Sequence, residues 1–332
     1  MPQILHTTLT PNRAVAAAGE NFQIDLPVNP LSVILITLRA LNNVLVNVTS
    51  LVDWMAKYTN IGIRYRGASI IDGRLQGLLV AMMMRERFMF ALGQENNVNA
   101  DVRSFTFPLM FGRKAYDPNE CFPATRRGDL IMDITAAADA GGLNNHTLHI
   151  ETIELLDATP KQFIKITETQ QAMAAAGANT IDLPIGNKLL GVLLNPFAFP
   201  TGAARTSSFG EINLEVDNVE VMYSGMDWEG AHALLSRRLP PWWTWLQHRH
   251  PFLDGAGPAV ESFTREGNAD FDLAQQFGLI ELDPFNDSSM ALDTRGAADV
   301  SIQIDSDTAD GANVSRIYPI ELVETGGPAA GG

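Results

Sequence analysis

AAAGENFQIDLP occupies residues 16–27, and AAAGANTIDLP occupies residues 174–184, one residue shorter in the middle. The strands behind them match too: LSVILITL at 31–38 and LLGVLL at 189–194. A self-match separated by about 157 residues is domain-sized, not the short period of a solenoid. The 332 residues therefore read as two folds and not as one.

Three further pairs keep the same order. FGRKAYDPNE begins at Phe111 and FGLIELDPFN at Phe277. Arg127, Gly128 and Asp129 are answered by Arg295, Gly296 and Asp299. HIETIELLD ends the first copy (His149 to Asp157), and RIYPIELVE ends the second (Arg316 to Glu324). The offset drifts from about 157 to about 166, as loop-sized insertions after a tandem duplication require. The expected domains are 1–158 and 159–332, with a flexible Gly/Ala/Pro tail at 326–332.

The chain is 46% hydrophobic and 18% charged, enough apolar material for two cores. Its net charge of −15 argues against nucleic acid wrapped over the whole surface, because phosphate binding needs Lys and Arg on the contacting face. The single cysteine, Cys121, excludes an intrachain disulfide and reads as a small buried apolar residue. MPQILHTTLT lacks the pattern of a signal peptide, and no apolar run reaches the length of a membrane span. The expectation is a soluble protein made in the cytoplasm.

Strand signals dominate. Asn21 to Leu26 alternates, with Phe22, Ile24 and Leu26 on one face. Residues 31–38 read as a strand buried on both sides. Ile61 to Ile71, Phe105 to Phe111, Leu130 to Thr135, Glu211 to Tyr223, Phe271 to Leu273 and Val300 to Ile304 continue the pattern. Turn chemistry separates them at Asp72–Gly73, Asp117–Pro118, Asp283–Pro284 and Asp310–Gly311. Helix formers follow Asp72–Gly73 in one copy and Ser224–Gly225 in the other. Asn42 to Tyr58 reads as a further helix, replaced in the second copy by a loop, FAFPTGAARTSS. Seven or eight short strands with one helix per copy imply an all-β chain of two tandem antiparallel β-sandwiches. Periodicity alone does not separate a jelly roll from other sandwiches.

Catalytic motifs are missing: there is no G-x-S-x-G, H-E-x-x-H, P-loop or G-x-G-x-x-G. His248 and His250 would share a face of a strand, but two ligands do not make a metal site. Asp305, Asp307 and Asp310 resemble a calcium loop in composition, one residue off the EF-hand spacing and without its glutamate. An acidic solvated turn explains them better, which leaves calcium a weak candidate. Glu151 and Glu154 form a carboxylate pair, which the second copy repeats as Glu321 and Glu324, a structural signature more than an acid–base one. No cofactor is implied. The strongest local anomaly is PPWWTWLQ at 240–247, holding Trp242, Trp243 and Trp245 beside Arg237, Arg238 and Arg249. Clustered Trp with Arg suits a subunit interface, intradomain packing or a membrane surface.

Two tandem sandwiches, each with one inserted helix, resemble the double jelly-roll major capsid proteins of tailless icosahedral viruses, the membrane-containing bacterial and archaeal viruses grouped with adenovirus. The duplicated AAAG…IDLP strands, the paired FG…DP segments and the paired terminal strands carry the resemblance. It implies a non-enzymatic structural protein of the virion that trimerises into a pseudo-hexameric tile. Its implied partners are copies of itself, minor capsid or vertex proteins and a viral membrane, with no specific nucleic acid. The tryptophan segment is then the candidate for an interface or a membrane-facing patch. Two rivals stand beside this: a carbohydrate-binding tandem sandwich using Trp242, Trp243 and Trp245, and a bicupin metal enzyme. The second is weakened because His146 and His149 have no histidine counterpart in the second copy.

Overall fold

The computed structural model describes residues 3–42, 51–86, 91–93, 100–139, 142–173, 177–198, 206–240, 274 and 276–325. Its two compact units are Met1–Pro160 with Arg238–Gln275, and Lys161–Arg237 with Gln276–Gly332.

The first unit contains β1 (Gln3–Ala14), β2 (Glu20–Asp25), β3 (Leu31–Asn42), α1 (Leu51–Lys57), β4 (Tyr58–Tyr65), β5 (Ala68–Gly73), α2 (Leu75–Glu86), β6 (Ala91–Gly93), β7 (Val102–Met110), β8 (Leu130–Ala136) and β9 (Leu143–Leu156). One sheet runs β1-β9-β3-β7-β6, the other β5-β4-β8-β2, with every pairing antiparallel. With β6 set aside, the eight main strands in chain order give first-eighth-third-sixth in one sheet and second-seventh-fourth-fifth in the other. That is the jelly-roll order.

The local reasons are visible in register. Phe22 lies opposite Ile134 and Ile24 opposite Met132, so the apolar faces of β2 and β8 coincide, while Asn21, Gln23 and Asp25 are exposed. β3 is central, with β9 on one side and β7 on the other, and Leu31, Val33, Ile34, Ile36 and Leu38 are all buried. A continuous apolar run is stable only in such a position, where each buried Leu or Ile contributes about 1.5–3 kcal/mol. The helix α2 touches both β4 and β7, and Leu75, Leu78, Leu79, Val80, Ala81, Met82 and Met83 are all inaccessible.

The second unit contains β10 (Gln162–Thr167), β11 (Thr169–Gln171), β12 (Gly177–Asp182), β13 (Lys188–Asn195), β14 (Glu211–Val216), β15 (Val219–Glu220), β16 (Met226–Asp227), α3 (Trp228–Arg238), β17 (Gly278–Glu281), β18 (Leu292–Asp293), β19 (Val300–Ser306) and β20 (Ser315–Glu324). Its sheets run β17-β13-β20-β10 and β12-β19-β14-β15, the same jelly-roll order. Trp228 and Ala231 of α3 join Ile181, Val192, Ile212, Leu214, Ile302 and Ile304 in one core.

The duplication extends to irregularities. Leu31 pairs with Glu154, and then the register skips so that Val33 pairs with Ile153. Leu189 pairs with Glu321, and the register skips so that Gly191 pairs with Ile320. One β-bulge therefore recurs, centred on Ser32 and on Leu190. Both DP turns close alike, with Glu120 N donating to Asp117 O at 3.2 Å and Asn286 N to Asp283 O at 3.2 Å.

Several sequence expectations change. Ile61 to Ile71 is a hairpin and not one strand: Arg66 and Gly67 have φ of 49° and 89°. Glu211 to Tyr223 turns likewise at Asp217 and Asn218, with φ of 51° and 62°. Two left-handed residues between antiparallel strands match the right-handed strand twist. Of the helix expected over Asn42 to Tyr58, the described residues hold α1, while Asn42 ends β3 and Tyr58 starts β4. The repeat of Glu151 and Glu154 is also shifted. The shared bulge equates Glu154 with Glu321, which sets Glu151 against Tyr318 and Asp157 against Glu324. Phe271 to Leu273 lies outside the described residues.

Candidate interaction surface

In each unit three loops meet at one end: the one after the second strand, the tight turn after the fourth, and the long one after the sixth. Backbone hydrogen bonds tie them in the first unit, Thr125 N to Val28 O at 2.8 Å and Arg66 N to Asp129 O at 2.8 Å. The second unit repeats both, Thr294 N to Asn187 O at 3.1 Å and Asp217 N to Asp299 O at 3.0 Å. The side chains differ while the geometry holds. Arg66 reaches the Asp129 carboxylate at 2.9 Å, whereas the Asp217 carboxylate accepts from the N–H groups of Ala298 (2.7 Å) and Asp299 (3.1 Å). The Arg66 pair is exposed and contributes little to stability. Near the second unit's turn, hydrogen bonding from Arg295 holds the Asp293 carboxyl down at about 2.

These loops present apolar side chains to solvent. Val28 is 42% exposed and Ile185, which follows the same Leu-Pro step in the second copy, 49%. Tyr116, Phe285 and Met290, in the long loops, are exposed too, Phe285 to 69%. Exposed apolar residues gathered on rigid loops mark contact surfaces more than scattered ones do. The sequence signal for Val28, Ile185 and Phe285, an apolar residue just after a Pro in a turn, is legible only once the turns are placed.

The residues singled out in sequence fare differently. Trp242, Trp243, Trp245, Arg249, His248 and His250 lie outside the described residues. Arg237 is exposed near the end of α3, but Arg238 is buried to 7% exposure, so the two do not share an open basic face. Consecutive helix positions point about 100° apart, which separates them. Asp310 is buried, its Oδ2 accepting from Met173 N (3.1 Å), Ser315 N (2.9 Å) and Ser315 Oγ (2.8 Å). Asp307 accepts from Ser207 N at 3.2 Å, and Asp305 is exposed on β19. Asp305 and Asp307 line an open depression with Glu211, Asp227 and Glu229. Among the described residues no group of three or more His, Cys, Asp or Glu side chains is placed to hold a metal ion.

Glu151 and Glu154 diverge. Glu151 stands between two imidazoles, 3.4 Å from His6 Nε2 and 3.5 Å from His149 Nε2, while Glu154 is buried and accepts from Asn29 Nδ2 at 2.7 Å. No acid–base pair results. Cys121 is buried, and burial pushes its thiol up to about 12, the inert state of a packed cysteine.

No protein-family model matches the sequence, and no curated protein matches it. Solved structures do. The Sulfolobus Turreted Icosahedral Virus structure aligns at TM-score 0.67 and 14% identity, covering 97% of this chain and 91% of that one. The crystal structure of the major capsid protein of that virus aligns at 0.62 and 14%, covering 97% of each chain. The major capsid protein of bacteriophage PM2 aligns at 0.59 and 13%, covering 98% of this chain and all of the other. This chain has the double jelly-roll fold of viral major capsid proteins. The double jelly roll accounts for the two equivalent loop ends: duplicated rolls present the same three loops twice, with different side chains on each.

Proposed function

We propose that this chain is the major capsid protein of a tailless icosahedral virus, a structural protein of the virion and not an enzyme. The observation that carries the proposal is end-to-end agreement with capsid proteins over 97–98% of this chain, both rolls included. Three chains with two rolls each would form a pseudo-hexameric tile, which lets identical chains fill six-fold lattice positions. Duplication then lets the rolls diverge toward different neighbours. Val28 and Tyr116 in one roll, against Ile185, Phe285 and Met290 in the other, are such a divergence. Minor capsid or vertex proteins and an internal membrane are further partners, the membrane being assigned to the segment from Trp242 to Arg249.

Light scattering on a sizing column tests this. A particle of about 108 kDa, three times the 36.1 kDa chain, followed by hexagonal arrays in electron micrographs, is the expected result. A chain that stays monomeric at high concentration would overturn it and favour a binding module.

A further inference from the structure

The first roll carries a buried reactive trio that the capsid reading does not use. Lys57, at the end of α1, is 1% exposed, and its Nζ lies 2.7 Å from Asp139 Oδ1 in the loop between β8 and β9. The approach is close but is not that of a hydrogen bond, because Oδ1 is buried and has no partner of hydrogen-bond geometry. His146, on β9 and 2% exposed, places Nε2 3.8 Å from the same oxygen. Trp54 and Tyr58 wall the group, their rings edge-on to the imidazole at 5.6 and 5.8 Å.

The backbone on both sides is fixed. Lys57 O accepts from Ala137 N at 2.7 Å, Asp139 N donates to Ala17 O at 2.7 Å, and Lys57 Nζ donates to Ala16 O at 2.8 Å. Amine and carboxyl are therefore held side by side, Nζ 2.7 Å from a carboxyl oxygen, before any reaction, which lowers the entropic barrier of a bimolecular step. Condensation runs through the neutral pair, reached when the ammonium passes a proton to the carboxylate, a transfer that costs less out of water than in it. The Asp139 side chain keeps 22% exposure, a path by which water can leave.

We propose that Lys57 and Asp139 join in an intramolecular isopeptide bond. The Nζ lone pair attacks Cγ and the N–Cγ bond forms. The surplus N–H proton passes through the His146 imidazole to the departing carboxyl oxygen. The Cγ–O bond breaks and one water leaves. No electrons change hands and no co-reactant is needed. The bond ties the start of β4 to the loop preceding β9 and closes one end of the first roll covalently. In the second roll the corresponding loop instead holds Asp307 and Asp310 on Ser207, Met173 and Ser315.

The test is the intact mass of the purified full-length chain, denatured, after prolonged incubation of the folded protein at neutral pH. The expected mass is one water below the sequence mass, with a branched peptide joining the fragments that carry Lys57 and Asp139. Lys57→Arg and Asp139→Ala should show the full mass. Asp139→Asn should lose ammonia in place of water and arrive at the same cross-linked product. His146→Phe should react at least tenfold more slowly. A wild-type chain that keeps its full mass overturns the proposal even if the variants fail to fold. So does a water loss confined to a linear peptide at Asp139, the mark of a succinimide.

Discussion

Asn29 Nδ2 donates to Glu154 Oε2 at 2.7 Å across 125 residues of sequence. The second roll repeats the bond: Asn187 Nδ2 donates to Glu321 Oε2 at 2.6 Å. Both carboxylates are buried, and each asparagine lies two residues before the one that opens the bulge, Leu31 or Leu189. The bond satisfies a desolvated acceptor and fixes the register of the central strand at the same point in each roll. Glu321 has further help from Lys165 Nζ at 2.9 Å, whereas among the described residues Glu154 has the Thr152 hydroxyl at 3.3 Å. Asn29→Ala should therefore destabilise the first roll by about 1–3 kcal/mol, the cost of stranding a buried charged acceptor. Asn187→Ala should cost less. Denaturation midpoints of the two variants decide this, and an Asn29/Glu154 double-mutant cycle isolates the coupling.

Acid should weaken the first roll through His146. Desolvation lowers its pKa below the ordinary 6.5, with Lys57 adding to the effect, while Asp139, the Leu143 backbone and Asp53 partly oppose it. The rings of Trp54 and Tyr58 complete its surroundings. A depressed folded pKa means that the unfolded chain takes up the proton first. Stability is thus intact above 6.5 and falls as pH drops through 6.5 toward the lower folded value. Unfolding midpoints measured from pH 8 to pH 5 should decline in this window and decline less in His146→Phe. Loss of the Lys57 and Asp139 charges in an isopeptide leaves the desolvation in place, so the sign is unchanged.

Gly278, in the second FG pair, should not accept a side chain. A Cβ there would stand 2.9 Å from Ala231 Cβ and 3.0 Å from the Trp228 ring, both on α3. Gly278→Ala should cost about 1–3 kcal/mol by forcing the helix off β17. An unchanged melting temperature would contradict the close packing of helix on strand.

At the second tight turn, Asp217→Ala removes the acceptor of two N–H groups just before β19. A loss of about 1 kcal/mol is expected. Asn218→Gly, at φ 62°, should be neutral or stabilising, since glycine adopts that conformation without strain. Chemical denaturation of the two variants should move the midpoint in opposite directions or leave only the first one changed.

Ile185→Asp with Phe285→Asp tests the exposed loop end. Both side chains are solvent-facing in the isolated chain, so folding should change by no more than about 0.5 kcal/mol. Assembly beyond the single chain should fail. Normal particles from a double variant would take these loops out of the contact surface.

The duplication was legible because it lies in the covalent order of residues: AAAG…IDLP, FG…DP and the paired terminal strands needed no coordinates. The strands were legible where one face is buried, since alternation at Phe22, Ile24 and Leu26 and the run from Leu31 report burial directly. The hairpins at Arg66–Gly67 and Asp217–Asn218 were missed because the apolar pattern continues through a two-residue turn almost unbroken. The match of Glu151 and Glu154 to Glu321 and Glu324 slipped because acidic residues in similar strings align in more than one way. Only the shared bulge fixes the register.

The candidate sites were hardest to read. Arg237 and Arg238 are adjacent letters, yet one is exposed and the other buried, and only the helix decides which. Asp305, Asp307 and Asp310 look like one cluster in sequence and end in three surroundings. Lys57, Asp139 and His146 have no motif at all, being 82 and 7 residues apart in turn. By itself, then, the sequence determined that one domain occurs twice, that it is built of half-buried strands, and that the G-x-S-x-G, H-E-x-x-H, P-loop and G-x-G-x-x-G motifs are missing. These are consequences of residue order and period. The tertiary structure alone decided strand order, which loops share an end, and which charged side chains meet out of water. Those depend on long-range pairing and on the low dielectric of the interior, and neither is encoded in the spacing of residues along the chain.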